Sequence, residues 1–291
     1  AGGAAEGGAR IVRIDRRPAS GTGVLADHVE MVWLTPAMDA LFTGPAGDRR
    51  RFLDRLILCF DPAFRSRLST FERAMRQRNR LLETAPGDRA HLDGLEMQLA
   101  ETGVAIAAAR LEVVAHLERM ILGRRERDQA SPFPWAGLAL EGRLENELKE
   151  SAAVDVEDRY LAALAAGRDR DRAAGRTLEG PHRSDLLVDH GPKAMPARKC
   201  STGEQKALLI GLVLAQARLV RQVTGEAPVL LLDEVAAHLD AGRREALFAV
   251  LHDLGAQTFM TGTDTSVFAP LGDRAEVLRV NEGTVVPGGD L

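Results

Sequence analysis

The sequence predicts an α/β fold on a parallel sheet, joined to a helical lobe, and three observations carry that expectation. Val229–Leu232 is a purely aliphatic strand, as expected of a central parallel strand covered on both faces. Strand and helix patterns alternate through residues 171–291, the order of an α/β domain. Between these and a short strand-and-turn region, apolar residues recur at helical spacing through most of residues 48–170.

Taken in order, residues 1–47 read as strands and turns. Ile11, Val12 and Ile14 mark one short strand, and His28–Leu34 a second, stopped by Thr35-Pro36. From residue 48 a helix capped by Asp48 carries Phe52, Leu53, Leu56, Ile57 and Phe60, and Asp61-Pro62 ends it. A second helix carries Phe64, Leu68, Phe71 and Met75 up to a turn at Pro86-Gly87. A long helical pattern follows over 88–122, then a break at Ser131-Pro132-Phe133-Pro134, then a helix expected over 140–167. Two long helices joined by a break suggest an antiparallel hairpin or arm. Beyond residue 171, Asp185–His190 reads as a strand and Gly203–Val223 as a helix apolar nearly all round, hence buried. Arg243–Leu254 is an amphipathic helix closed by Gly255, and Gln257–Thr261 the next strand. Ala275–Val280 and Thr284–Val286 close the chain around a Glu282-Gly283 turn.

Composition excludes several classes. Of 291 residues, 45% are hydrophobic and 27% charged, which supports a real core and rules out a wholly disordered chain. The longest apolar run, Ala207–Ala215, is far shorter than the roughly 20 residues of a membrane span. A net charge of −4 announces no nucleic-acid partner, so any basic footprint must be local. Cys59 and Cys200 form neither a metal-ligand spacing nor a disulfide framework, which fits a reducing, cytoplasmic setting.

The chemistry concentrates in two motifs. An aliphatic strand ending in Asp233-Glu234 delivers two carboxylates to the sheet edge where ligands of open α/β sheets bind. Asp233 is placed to hold Mg²⁺ through its water shell, and Glu234 to orient a water attacking a phosphoryl group. The bland alternative is a buried strand running into a solvated turn. The second motif, Cys200-Ser201-Thr202-Gly203-Glu204-Gln205-Lys206, opens the buried helix. A hydroxyl, a glycine and free N–H groups at a helix N-terminus make an anion site, while Ser201 with Glu204 also reads as a capping box; both readings can hold. The helix motif first, then the Asp-Glu strand, then Ala236-Ala237-His238-Leu239-Asp240 at the D-loop position, is the order of ABC-type ATPases.

The resemblance narrows further. Gly180-Pro181-His182-Arg183-Ser184-Asp185-Leu186, the Ser201–Lys206 run and Leu231-Leu232-Asp233-Glu234 together resemble the RecF family of bacterial recombination proteins. So do Leu34-Thr35-Pro36 and the run Phe42–Asp54 upstream. The resemblance implies an ABC-type, SMC-like ATPase head with a P-loop NTPase core and a helical second lobe. Residues 1–47 would then be a remnant of the first ATPase lobe, 48–170 the helical lobe or arm, and 171–291 the core with signature motif, Walker B strand and D-loop. It implies ATP and Mg²⁺ as ligands and an ATP-dependent homodimer. It also implies double-stranded, gapped or junction DNA, with RecO and RecR, as partners in placing RecA. Ser201, Thr202, Gly203, Glu204 and Gln205 would meet the γ-phosphate bound to the opposite head, with Asp240 at the dimer seam. Thr261 or Thr263 would replace the switch histidine of transporter ATPases, although a plain strand-to-turn junction explains them too.

One motif is not present: no Gly-Lys pair occurs, so these 291 residues contain no G-x-x-x-x-G-K-[ST] loop. With a start at Ala1, the chain reads as truncated by most of its first lobe. The strand ending at Asp233 is then expected to show an unpaired edge or an apolar face, and the chain to hold ATP poorly. Arg49-Arg50-Arg51 and the Arg73–Arg80 cluster are candidates for DNA phosphates, with pairing to acids such as Asp48, Asp54 and Glu72 the competing explanation. Trp33 and Trp135 read as core or packing residues. Two rival functions stand beside a DNA-repair ATPase: a transport-type ABC subunit, and an interaction module without nucleotide binding.

Overall fold

The computed structural model describes residues 11–19, 24, 28–127, 131–236 and 239–288. A small antiparallel pair, β1 (Arg13–Ile14) and β2 (Arg17–Pro18), precedes β3 (Met31–Leu34). Three helices follow: α1 (Ala46–Leu58), α2 (Phe64–Thr84) and α3 (Arg89–Arg127). Then come β4 (Ala136–Glu141), α4 (Arg143–Leu148), α5 (Ala153–Ala166) and α6 (Arg168–Ala174). The last part holds β5 (Asp185–His190), β6 (Met195–Pro196), α7 (Thr202–Thr224), β7 (Val229–Leu232), α8 (Ala241–Leu254), β8 (Thr258–Met260) and the hairpin β9 (Leu278–Asn281) and β10 (Thr284–Pro287).

The sheet that positions the site is parallel, in the order β3-β7-β8. Its central strand is the aliphatic one, which therefore has no unpaired edge: Met31–Leu34 covers one side and Thr258–Met260 the other. The expected apolar face is real, however. Trp33, Leu231 and Phe259 stand in register across the three strands, and Met31, Trp33 and Phe259 are exposed. Trp33 is thus not a core residue; the Arg55 guanidinium lies 4.8 Å above its ring. The opposite face, with Val32, Leu34, Leu230 and Leu232, is buried, and α7 packs on β3.

The helical lobe is organised around α3, about 58 Å long at 1.5 Å per residue. It pairs with α2 across the Pro86-Gly87 turn, so the antiparallel hairpin is α2–α3. The helix expected over 140–167 is replaced by β4, α4 and α5. Ala136–Glu141 is rich in helix-favouring Ala, Leu and Glu, yet its buried and exposed positions alternate and every residue pairs antiparallel with β5. Tertiary pairing overrides local propensity there. Gly142 follows at a close approach, where a Cβ would collide with the Glu145 carboxylate. β5 consequently belongs to the antiparallel sheet β4-β5-β6 and not to the parallel sheet that strand–helix alternation suggested.

α7 is long and apolar enough to cross a membrane by length and composition, but 67% of its apolar window is buried within the protein. It is a core helix.

Candidate nucleotide-facing site

The site grows from the C-terminal rim of the parallel sheet. At the end of β7, the Asp233 amide donates to Leu34 O at 2.8 Å and the Thr261 amide to Leu232 O at 3.0 Å, so neighbouring strands hold both sides of the rim. The Thr261 hydroxyl donates to Asp233 Oδ1 at 2.5 Å and accepts from the Glu234 amide at 3.1 Å. Glu234 is exposed and has φ 53°, a left-handed conformation that is costly for a residue with a Cβ. Thr263 lies exposed in the loop that follows.

The tip of α7 is closed by the expected capping box. Ser201 Oγ accepts from the Glu204 amide at 3.4 Å, and the Ser201 amide donates to Glu204 Oε2 at 3.0 Å. Ser201, Thr202 and Gly203 are exposed, and a Cβ built on Gly203 would meet nothing within 4 Å. The tip is therefore exposed and uncrowded at Gly203, and an exposed helix N-terminus is where an anion can be received. Gln205 turns inward instead: its amide donates to Cys200 O at 2.8 Å and braces the tip from inside. Lys193 pairs with Glu204; with the bonds from Ser201, this holds the Glu204 carboxyl down at about 2. Burial pushes the Cys200 thiol up.

Lys206, near the start of α7, ties that helix at 3.1 Å to Asp39, which lies beyond the C-terminal end of β3, the strand paired with β7. Sequence alone did not show this tie, or the Lys193–Glu204 pair, because neither is local.

Other candidates separate. Asp240 caps α8, accepting from the Arg243 amide at 2.9 Å; Ala237 and His238 of the D-loop position lie outside the described residues. Arg49 grips Asp185 with two bonds, at 2.7 and 2.8 Å, and donates to Leu41 O and Gly44 O. Arg50 donates to Ser184 O at 2.6 Å, which leaves Arg51, paired with Asp48, as the exposed member of the triplet. Of the second cluster, Arg73, Arg76 and Arg80 face outward and Arg78 is fully buried. His182 packs on Phe71, and burial lowers its pKa.

Among the described residues no group of three or more His, Cys, Asp or Glu side chains forms a metal cluster. Asp233 fits a cation such as Mg²⁺ that keeps most of its shell from water and phosphate oxygens.

A parallel sheet with two carboxylates at its C-terminal end, a core helix with an exposed, capped tip and a helical second lobe make up the fold of an ABC-type ATPase head. No family model matches the chain. It is 58% identical over 288 residues to the DNA replication and repair protein RecF of Mesorhizobium japonicum, covering 99% of this chain and 75% of that protein. Against the protein of the same name from Rhizobium etli it is 55% identical, covering 95% and 73%. The fold superposes on a solved structure of the recombination mediator protein RecF-ATPrS in the RecFOR pathway with TM-score 0.81 at 22% identity, covering 96% of this chain and 73% of that one. The corresponding RecF-ATP structure gives 0.78 at 23%, covering 96% and 74%. The chain belongs to the RecF family of DNA replication and repair proteins.

Proposed function

We propose that this chain supplies the hydrolytic rim and the partner-facing helix tip of an ATP-gated, DNA-binding head in the cytoplasm. The observation that supports the reading is the pairing of Asp233 and Glu234 through Thr261 at the C-terminal end of the parallel sheet, in a chain whose α7 also presents an exposed, capped N-terminal tip. In it, Asp233 would hold the Mg²⁺ that neutralises charge on the phosphates, and the Glu234 carboxylate would orient the attacking water. Mg-ATP supplies the scissile phosphoanhydride. Ser201, Thr202 and Gly203 offer hydroxyls and N–H groups to the triphosphate bound by a second head, with Glu204 as their brace and Asp240 at the seam, so hydrolysis needs a dimer. Thr261 is the residue through which the rim senses the γ-phosphate. ATP closes the pair on double-stranded or gapped DNA, Arg51 adding a phosphate contact, and hydrolysis releases it. RecO and RecR then assist in placing RecA.

The phosphate-cradling P-loop is not among these 291 residues, so the isolated chain is expected to bind Mg-ATP weakly; tight binding in a calorimetric titration would overturn the assignment. In a RecF-family head carrying both this chain and a P-loop, Glu234→Gln is expected to slow hydrolysis about a hundredfold and to prolong ATP-dependent retention on DNA. An unchanged hydrolysis rate would remove Glu234 from the reaction.

A further inference from the structure

The helical lobe carries cations that its own packing does not use. Six exposed arginines have guanidinium groups with no hydrogen-bond or ion-pair partner among the described residues: Arg65, Arg73 and Arg80 on α2, and Arg172, Arg176 and Arg183 on the segment from α6 to β5. Spacings of eight and seven residues put the first three on one side of α2, over about 22 Å. The two elements are in contact. The Thr177 hydroxyl donates to Asn79 at 2.7 Å, Arg78 bonds Asp171 at 2.8 Å and His182 packs on Phe71. The segment also meets α1, where Arg50 donates to Ser184 O at 2.6 Å. Of the acids on α2 and in residues 168–185, Glu72, Asp171, Glu179 and Asp185 are each paired with other arginines, which leaves Glu83 and Asp169. Six unpaired cations thus stand against two unpaired acids, in a chain whose net charge is −4.

The chemistry of this surface selects its occupant. No large apolar side chain is exposed on α2 or in residues 168–185, so the anchor of a protein hot spot is missing. The same absence removes the aromatic platform on which the bases of a single strand would stack. The uncharged exposed side chains of α2 are Ser66, Ser69, Gln77 and Thr84, hydroxyls and an amide of the kind that bond phosphate oxygens beside arginine. Charge without apolar or stacking contacts suits a duplex, whose phosphates lie outside and whose bases are already stacked. Resting on the DNA-binding reading above, we propose that α2 and the α6–β5 segment form a phosphate-tracking surface for double-stranded DNA, a contact made by the helical lobe itself.

The test is fluorescence anisotropy on the full chain, without nucleotide, using a labelled duplex of about 30 base pairs in about 50 to 200 mM salt. Arg172→Gln, Arg176→Gln and Arg183→Gln together are expected to weaken binding about tenfold or more and to flatten the slope of log affinity against log salt by roughly 3, about one for each phosphate contact. Arg65→Gln, Arg73→Gln and Arg80→Gln together are expected to do the same. Lysine at the same positions should restore both, because it keeps the charge; a lysine set as weak as the glutamine set would assign the loss to folding and overturn the proposal. So would the absence of duplex binding at the lowest salt, an unchanged affinity and slope in both glutamine sets, or tighter binding of a single strand or of a poly-glutamate peptide. The underlying DNA-binding reading is measured apart, as ATP-dependent retention on DNA by a head with a P-loop. Retention there, undiminished by the glutamine sets, would leave that reading standing and remove this surface.

Discussion

Thr261 and Asp233, each one residue past the end of neighbouring parallel strands, are joined by a hydroxyl-to-carboxylate hydrogen bond of 2.5 Å, and the same hydroxyl accepts the Glu234 amide at 3.1 Å. One side chain thus fixes two consecutive acidic residues, the second of them in a left-handed backbone conformation. Thr261→Val keeps the shape and removes both bonds. Amide exchange at Glu234 is expected to quicken about fivefold, the equivalent of one ordinary hydrogen bond, and Thr261→Ser to restore the slow rate. Equal exchange in the Val and Ser variants would show that the backbone holds Glu234 without help.

The largest stability loss is expected at Arg78. Its guanidinium is fully buried and bonds Glu96 at 2.9 Å, Asp171 at 2.8 Å, Thr177 Oγ1 at 3.0 Å and Leu164 O at 2.8 Å. It ties α2 to α3, α6 and the segment before β5. Arg78→Met leaves two buried carboxylates with one cation fewer, although Arg168 still reaches Glu96. Removing one partner of a buried charge network costs about 3–5 kcal/mol. Urea unfolding would measure it, and a loss below about 1 kcal/mol would mean that water relieves the site.

Much of the rim was legible because its determinants are local. Aliphatic residues followed by Asp233-Glu234 specify β7 and its end, Ser201 with Glu204 specifies the start of α7, and Gly255 marks the end of α8, whose cap Asp240 reads in the sequence only as a D-loop residue. What sequence could not show depends on distant partners. β4 is a strand because β5 lies beside it, and β7 is central because β3, nearly two hundred residues earlier, completes the sheet. The arginines were ambiguous for the same reason: Arg49 and Arg78 look like neighbours of exposed arginines until Asp185 and Asp171 are placed against them.

The capping box also sets a pH response. Lys193 and the Ser201 bonds hold the Glu204 carboxyl at about 2, below its ordinary 4.5. A depressed carboxyl stabilises the fold above its unfolded value, and that contribution fades as pH falls from about 4.5 towards 2. Lys193→Ala should move the Glu204 midpoint upward, read from its side-chain carbon in an NMR titration. A midpoint that stays near 2 would assign the whole shift to the Ser201 bonds.

The row Trp33–Leu231–Phe259 predicts how the isolated chain behaves. Two of its three side chains are exposed on a sheet face, beside Met31, and contiguous apolar surface of this kind recruits dye and other chains. Phe259 is the least protected, at 53% exposure against 37% for Trp33 beneath Arg55. Phe259→Ser should lower the fluorescence of the apolar-surface dye ANS and slow aggregation measured by light scattering. The unfolding free energy should change by no more than about 0.5 kcal/mol, because an exposed side chain contributes little to the core. Lower dye binding together with a large loss of stability would mean that Phe259 supports β8 itself; an unchanged signal in both assays would place the sticky surface elsewhere.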